Sequence, residues 1–144
     1  MKVSDILRVK GVHVFTIDRG ATIERVIRIL VDENVGSLVV VDPPASTTIV
    51  GIITERDILR TVDHKPTELA QLRVEDFMSS SVQTTEMTVS LNVVMGLMTS
   101  LRVRHMPIVE NGELCGMVSI GDVVKAKHDD LNRENFYLKE YIHQ

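Results

Sequence analysis

The sequence predicts an α+β fold made of two β-α-β-β-α units that pack sheet to sheet with pseudo-twofold symmetry. Residues 51–57 (GIITERD) and 116–122 (GMVSIGD) repeat one pattern: a glycine, two apolar residues, a hydroxyl residue and, three positions later, an aspartate. Each copy follows a run of apolar residues, and an amphipathic helical pattern precedes that run. One such unit has too small a core to be a comfortable domain, whereas two units bury their sheets against each other.

Thr54 and Ser119 are placed to cap the helices that follow them. A hydroxyl at this position accepts a hydrogen bond from a backbone N–H group that has no partner within the helix. Asp57 and Asp122 then lie in the first turn, near the positive end of the helix dipole. A single Ser/Thr-x-x-Asp segment is a common helix start and nothing more. Two copies in matched contexts indicate a shared role beyond capping.

The two copies match from their first residues onward. Residues 3–7 (VSDIL) match 74–78 (VEDFM), and residues 14–16 (VFT) match 82–84 (VQT). After the cap candidates Thr22 and Ser90, apolar residues recur at i, i+3, i+4 and i+7. This spacing predicts one helix per unit with a single apolar stripe that faces the core.

A buried strand is predicted after each of these helices. The matching segments are 35–41 (VGSLVVV) and 103–109 (VRHMPIV), and a continuous apolar run is typical of a strand covered on both faces. The next turn is long in the first copy, at 42–48, and short in the second. There, Asn111-Gly112 between apolar runs predicts a tight hairpin.

The repeats predict a first unit at 1–65, a linker at 66–73, a second unit at 74–127 and a helical extension at 128–144. The last helix is expected to begin near Ile120 and to continue into the tail. Val124, Leu131 and Leu138 recur there every seven residues. This apolar row either meets another chain or folds back on its own unit, and both alternatives stay open.

Composition favours a globular protein and excludes several classes. Net charge is −4, with 44% hydrophobic residues and no Lys/Arg-rich run, which argues against nucleic-acid binding. No apolar stretch is long enough to span a membrane, and no signal-peptide core is evident. The single cysteine, Cys115, is expected to be a buried, inert thiol. A cytoplasmic location is therefore expected.

The paired motifs, the apolar strand before them and residues 102–107 (RVRHMP) resemble the CBS-domain pair, also called a Bateman module. The resemblance covers nearly everything from Met1 to about Lys127 and is greatest to small stand-alone members. It implies a cleft between the units that binds adenosine-containing ligands. AMP is the first candidate, with ADP, ATP, NAD or S-adenosylmethionine as others, and no metal is required. It also implies a homodimer that signals to an unidentified protein partner.

Two pseudo-equivalent ligand sites follow from this resemblance. Asp57 and Asp122 are suited to accept hydrogen bonds from both ribose hydroxyls, and Thr54 and Ser119 offer a hydroxyl and helix N–H groups to phosphate. Apolar side chains around adenine and backbone groups along its edge complete the set. The residues expected to bind ligand are Thr16, Ile17, Gly36, Ser37, Ile52, Ile53, Thr54, Arg56, Asp57, Thr84, Val103, Arg104, His105, Met106, Pro107, Met117, Ser119, Gly121 and Asp122.

The two sites are expected to differ in affinity or in preferred phosphate count. Arg56 of the first motif is replaced by Gly121 in the second, whereas Arg104 and His105 lie only in the second copy. Arginine suits phosphate because its planar group meets two oxygens at once. The alternatives are that Arg102 and Arg104 are simply solvated and that His105 is a hydrogen-bonded edge residue.

Two other features of the sequence are interpreted as lying outside ligand chemistry. Lys10 and His13 precede the first strand and are expected to point to water rather than to phosphate. The histidines have no metal-ligand spacing, so no metal site is expected.

The alternatives to a nucleotide sensor are an enzyme and a ligand-independent scaffold. An enzyme needs a nucleophile or a matched acid–base pair, and the sequence has neither these nor a phosphate-binding glycine loop, so no catalysis is expected. The main alternative is a ligand-independent interaction scaffold that keeps the fold. The intact Thr54/Asp57 and Ser119/Asp122 pairs favour the sensor.

Overall fold

The computed structural model describes residues 1–142 and confirms the α+β fold class. The first half of the chain contains α1 (Val3–Lys10), β1 (Thr16–Asp18), α2 (Ile23–Glu33), β2 (Ser37–Val41), β3 (Ile49–Thr54) and α3 (Glu55–His64). The second half contains a 3₁₀ turn (Val74–Asp76), α4 (Leu91–Leu101), β4 (His105–Glu110), β5 (Glu113–Ser119) and α5 (Ile120–Ile142). Residues 143 and 144 of the predicted extension lie outside the described residues. The domain boundaries at 65, 73 and 127 stay predictions.

Both units use the same sheet order, but the second sheet is smaller. In the first, β1 runs parallel to β2, and β2 runs antiparallel to β3. In the second, β4 and β5 form an antiparallel hairpin. The strand expected near Thr84 is reduced to one bridge, in which Thr85 donates to the Pro107 carbonyl at 3.0 Å and accepts from the Val109 N–H at 2.9 Å. This bridge occupies the position that β1 has in the first sheet.

The helices α2 and α4 begin and end in the same way at matched positions of the two units. The Thr22 and Ser90 hydroxyls accept backbone N–H groups at the starts of α2 and α4. Both helices end at a non-glycine residue with positive φ, Asn34 at 52° and Arg102 at 55°. Such residues are uncommon in the left-handed region, so their recurrence shows that the backbone is duplicated in detail.

The leading segment of each unit packs on the core of the opposite unit. Val3 and Leu7 of α1 are buried in the core of the second sheet, whereas Val74 is buried in the core of the first. The backbone follows the same exchange: Val3 N–H donates to the Val89 carbonyl and Val74 N–H to the Ala21 carbonyl, both at 2.9 Å. This reciprocal exchange ties the two units into one body.

The predicted linker at 66–73 is ordered against the first unit. The Leu69 and Leu72 carbonyls accept hydrogen bonds from the N–H groups of Glu24 and Ile23 at 3.0 and 2.9 Å. These groups begin α2 and have no partners within the helix. The linker therefore completes the N-terminus of α2 while its leucines pack on the core.

Helix α5 begins at Ile120 as predicted and continues unbroken for 23 residues. Leu131 and Leu138 remain 59% and 60% exposed, and Val123 is the buried residue of this helix. Within residues 1–142 the apolar row therefore does not fold back on its own unit. None of the helices described here is long and apolar enough to cross a membrane.

Candidate functional site

A cavity of about 430 Å³ opens between the two units. The first unit contributes the end of β3 and the start of α3, and the second contributes the segment after the 3₁₀ turn and the start of β4. Eight of the expected ligand residues meet there: Gly36, Ile52, Thr54, Arg56, Asp57, Val103, Arg104 and His105. The cavity is also lined by Arg102, for which the alternative was a solvated side chain, and by residues that were not expected: Glu55, Leu59, Arg60, Ser79, Ser81, Val82 and Gln83.

Asp57 lies at the back of this cleft and is held in a reciprocal cap with Thr54. Its Oδ2 atom accepts the Thr54 N–H at 2.9 Å and the Thr54 hydroxyl at 3.1 Å, and its own N–H donates to the Thr54 Oγ1 at 3.4 Å. The Oδ1 atom lies 4.0 Å from the Arg60 guanidinium, and 15% of the side chain is exposed. The cap thus occupies one carboxylate oxygen, and the other accepts no hydrogen bond among those described for residues 1–142. The Thr54 hydroxyl, which was expected to contact phosphate, is engaged in the cap.

Four exposed arginines line the same cleft. Arg56 and Arg60 come from the first turns of α3, and Arg102 and Arg104 come from the loop before β4. Together they outnumber the two acidic groups of the cleft, Asp57 and Glu55, so the opening favours a polyanion. Arg60 was not expected from sequence, although its position three residues after Asp57 on a helix is a signal for it.

His105 of the second unit packs closely on Gly36 of the first at the cleft. A Cβ atom on Gly36 would lie 2.9 Å from the His105 Nε2 atom, so only glycine admits the imidazole at this distance. Burial lowers the pKa of His105 below its ordinary value of 6.5, and the Glu55 carboxylate only partly offsets the effect. His105 is therefore held towards its neutral form between the units.

The floor of the cleft is built by an added backbone pairing. Ile52 of β3 and Ser79 exchange two N–H···O hydrogen bonds of 2.9 Å. This pairing brings residues 79–83 alongside the first motif. The pairing of Ser79 could not be predicted from sequence, because residues 79–81 carry no strand pattern.

The second motif repeats the cap but holds its carboxylate differently. Asp122 Oδ2 accepts the Ser119 N–H at 2.9 Å, and the Asp122 N–H donates to the Ser119 Oγ at 3.1 Å. The same Oδ2 atom also accepts the Lys10 ammonium at 2.7 Å, which donates in addition to the Met117 carbonyl at 2.9 Å. The expectation that Lys10 points to water is therefore wrong.

The electrostatics of Asp122 reflect this contact. Burial alone raises the pKa of Asp122, but the Lys10 ammonium and the Ser119 N–H outweigh it and hold the pKa below the ordinary value of 3.8. The carboxylate is thus ionised and already paired. Ser119 holds Asp122 in the cap, and the Met117 carbonyl shares the Lys10 ammonium, whereas Met117, Ser119, Gly121 and Asp122 do not line the cavity between the units.

Other expected ligand residues lie away from the cleft cavity. Ile17, Ile53 and Met106 are buried in the two cores. Successive strand side chains point to opposite faces, so Ile52 faces the cleft while Ile53 faces the core. A set of four residues also lies outside the lining: Thr16, Ser37, Thr84 and Pro107.

Two features bear on metal and thiol chemistry. Within residues 1–142, no group of three or more His, Cys, Asp or Glu side chains is placed to hold a metal ion. The Cys115 Sγ donates to the Ile108 carbonyl at 3.4 Å, and burial together with the Glu110 carboxylate raises the pKa of this thiol. The cysteine is therefore held in its unreactive protonated form.

The duplicated units, their exchanged leading segments and the cleft between them define a ligand-binding module built from a tandem repeat. The family model of the CBS domain matches residues 3–64 and 74–129. The chain belongs to the CBS-domain family and carries a tandem pair of these domains.

Similarity to other CBS-domain proteins supports this assignment. The chain is 35% identical to the CBS-domain containing protein ATU1752 from Agrobacterium tumefaciens, with a TM-score of 0.83 over 88% of this chain and 99% of that one. It is 36% identical over 124 residues to the mitochondrial CBS domain-containing protein CBSX3 of Arabidopsis thaliana, covering 82% of this chain but 60% of that protein. It also shares the fold of CBSX2 in complex with AMP, at 24% identity and a TM-score of 0.71, over 89% of this chain and 96% of that one.

Proposed function

We propose that this protein is a non-catalytic regulatory module that binds an adenosine nucleotide in the cleft around Asp57. AMP is the first candidate, and ADP, ATP and NAD are the others. Binding shifts the arrangement of the two units or of two copies of the chain, and a protein partner responds to that shift. A cytoplasmic location stays a prediction, because the Arabidopsis relative is named as a mitochondrial protein.

The observation that carries this proposal is the pairing of a recessed carboxylate with a cationic opening. Asp57 lines the cleft, the cap holds its Oδ2 atom, and its Oδ1 atom is suited to accept a ribose hydroxyl. The opening carries Arg56, Arg60, Arg102 and Arg104, which suit phosphate oxygens. A nucleotide carries both ribose hydroxyls for the carboxylate and phosphate oxygens for the arginines.

Size and apolar lining support the same ligand class. The cavity of about 430 Å³ falls in the range of small-molecule sites, roughly 300–1,000 Å³. Ile52 of the first unit and Val103 of the second both line it. Apolar side chains of this kind suit the faces of a flat base. The AMP bound by CBSX2, which shares this fold, is an example of such a ligand.

A ligand in this cleft contacts both units and so favours the arrangement that it bridges. The shift is proposed to reach a second copy of the chain through the outer helices. Val93, Leu97 and Leu101 form an exposed row along α4, and Val124 is exposed on the neighbouring α5.

Thermal melting of nucleotide-free protein with AMP, ADP, ATP, NAD, S-adenosylmethionine and GTP tests the proposal. A ligand at about 100 times its dissociation constant stabilises the fold by about 2.7 kcal/mol, which raises the melting temperature of a chain of this size by several degrees. Adenosine ligands are expected to give this rise and GTP is not.

The matched variants are Asp57→Asn and Asp32→Asn. Asp32 is an exposed carboxylate on α2, away from the cleft. The ligand-induced rise is expected to shrink to about half or less in Asp57→Asn and to persist in full in Asp32→Asn, each measured against its own ligand-free midpoint. An equal rise in both variants, or no rise with any ligand, overturns the proposal.

The second candidate is a ligand-independent scaffold with the same fold. The exposed apolar rows on α4 and α5 favour it, because they serve protein association with or without nucleotide. Association that is unchanged by every nucleotide in the panel would support this candidate over the sensor.

A further inference from the structure

The two motifs differ most in what already contacts the carboxylate. The Asp122 Oδ2 atom accepts a charged hydrogen bond of 2.7 Å from Lys10, a residue separated from it by 112 positions in the chain. The Asp57 Oδ2 atom accepts only from Thr54 among the hydrogen bonds described for residues 1–142, and the Arg60 guanidinium lies 4.0 Å from the Asp57 Oδ1 atom, too far for a hydrogen bond. Of the two carboxylates, therefore, it is Asp122 that is hydrogen-bonded to an internal cation in the absence of ligand.

The path of the leading segments explains this difference. After Val3–Leu7, α1 continues as a helix to Lys10, and its last turn delivers the ammonium to Asp122. In the matching stretch of the second copy, the 3₁₀ turn ends at Asp76 and the chain becomes extended at Ser79. The repeat position of Lys10 is then taken by Ser81, a small neutral side chain that lines the first cleft.

The Lys10 ammonium has two hydrogen-bond acceptors, the Asp122 carboxylate and a backbone carbonyl. The ammonium also donates to the Met117 carbonyl at 2.9 Å, and the ion pair is half-buried, with 36% of Lys10 and 24% of Asp122 exposed. A partly desolvated pair of this kind is screened less by water and salt than a surface pair. A ribose hydroxyl that approaches Asp122 meets a carboxylate whose charge is already compensated.

We propose that Lys10 sets the affinity difference between the cleft at Asp57 and the second ligand site that the repeat implies around Asp122, here called the second cleft, by acting as an internal competitor for the Asp122 carboxylate. This inference rests on the proposed function and specifies it. The first cleft fills at lower nucleotide concentration, and the second fills only when the Lys10 ammonium leaves Asp122. The protein then responds to two ranges of ligand concentration rather than one.

Calorimetric titration with AMP tests this in an Asp57→Asn background, where the second cleft dominates. Replacing Lys10 with methionine keeps most of the aliphatic length and removes the competing charge. The affinity of the second cleft for AMP is expected to rise about fivefold, the size expected when one partly buried ion pair no longer has to be broken. Lys139→Met in the same background removes an exposed cation from the last turn of α5, far along the helix from Asp122, and no rise is expected.

An independent readout separates failure of this inference from failure of the proposed function. Carbon-13 NMR of the Asp122 carboxyl in ligand-free protein is expected to show its titration midpoint move up in Lys10→Met and stay in place in Lys139→Met. Unchanged or weaker AMP binding in the Lys10→Met background, with AMP still bound at the first cleft of the wild type, overturns the competitor role alone. Absence of AMP binding in every variant overturns the proposed function and this inference together.

Discussion

Leu7 packs so closely on Gly116 that a Cβ on this glycine would lie 2.7 Å from the Leu7 Cδ1 atom. The relation repeats at the other motif, where a Cβ on Gly51 would lie 2.6 Å from the Met78 Sδ atom. In each case the partner belongs to the exchanged leading segment. The glycine that begins each motif is therefore required by the packing of the opposite segment, not by a turn.

Alanine at these glycines is expected to destabilise the fold. Both Gly51→Ala and Gly116→Ala should lower the free energy of unfolding by about 1–3 kcal/mol, as overpacking of a filled core does. Gly51→Ala should cost more, because a Cβ there also meets the Ser79 carbonyl oxygen at 2.9 Å, and backbone yields less than the end of a leucine side chain. Urea denaturation measures both values.

Gly96 supplies the control for this comparison. It lies inside α4, and a Cβ there meets nothing within 4 Å. Gly96→Ala should stabilise the protein by about 0.5–1 kcal/mol, because glycine is a poor residue inside a helix. Equal effects at the three glycines would contradict the packing explanation.

His105 predicts a pH dependence of stability. Its pKa is lowered in the folded state by burial, so below the ordinary value of 6.5 the unfolded chain binds more protons at this residue than the native one. The contribution of His105 to stability is then present above 6.5 and is lost as the pH falls through the folded-state pKa. Chemical denaturation between pH 7.5 and 5 is the measurement.

Replacement of His105 with glutamine should flatten this dependence. His64, which is exposed at the end of α3, is the matched control, and His64→Gln should leave the pH profile as in the wild type. If the wild-type profile survives in His105→Gln, another group is responsible and the buried position of the imidazole does not govern stability.

The exposed row on α4 predicts self-association. Leu97→Glu places a charge in the middle of the row Val93, Leu97 and Leu101 and should convert a dimer to a monomer in sedimentation velocity. Asn92→Glu adds the same charge at an exposed position of the same helix and should leave the dimer intact. A wild-type monomer at all concentrations would refute the proposed homodimer.

Local signals made much of the fold predictable from sequence. The caps at Thr22 and Ser90, the Asn111-Gly112 hairpin and the start of α5 depend on residues within a few positions of one another, and all are found where they were expected. Asn111 and Gly112 have φ values of 53° and 79°, as the tight hairpin requires.

The parts that could not be predicted depend on contacts between distant residues. Two copies of one pattern do not say whether residues 3–7 pack on their own unit or on the other, and the answer is visible only in the cores. The contact of Lys10 with Asp122 has the same origin, because a helix must first cross to the second unit. Ile53 was wrongly grouped with Ile52 for a different reason. Which of two neighbouring strand residues faces the cleft depends on the strand register, and pairing with β2 fixes that register.

Calorimetric titration of AMP into the wild type, Asp57→Asn and Asp122→Asn tests the central claim most directly. If Asp57 accepts the ribose hydroxyls in the open cleft, Asp57→Asn should weaken the tighter binding event by about tenfold or more, as loss of a charged hydrogen bond does. Asp122→Asn should leave that event within about twofold of the wild type. Tight AMP binding that is untouched by Asp57→Asn, or that is lost only in Asp122→Asn, would contradict the account.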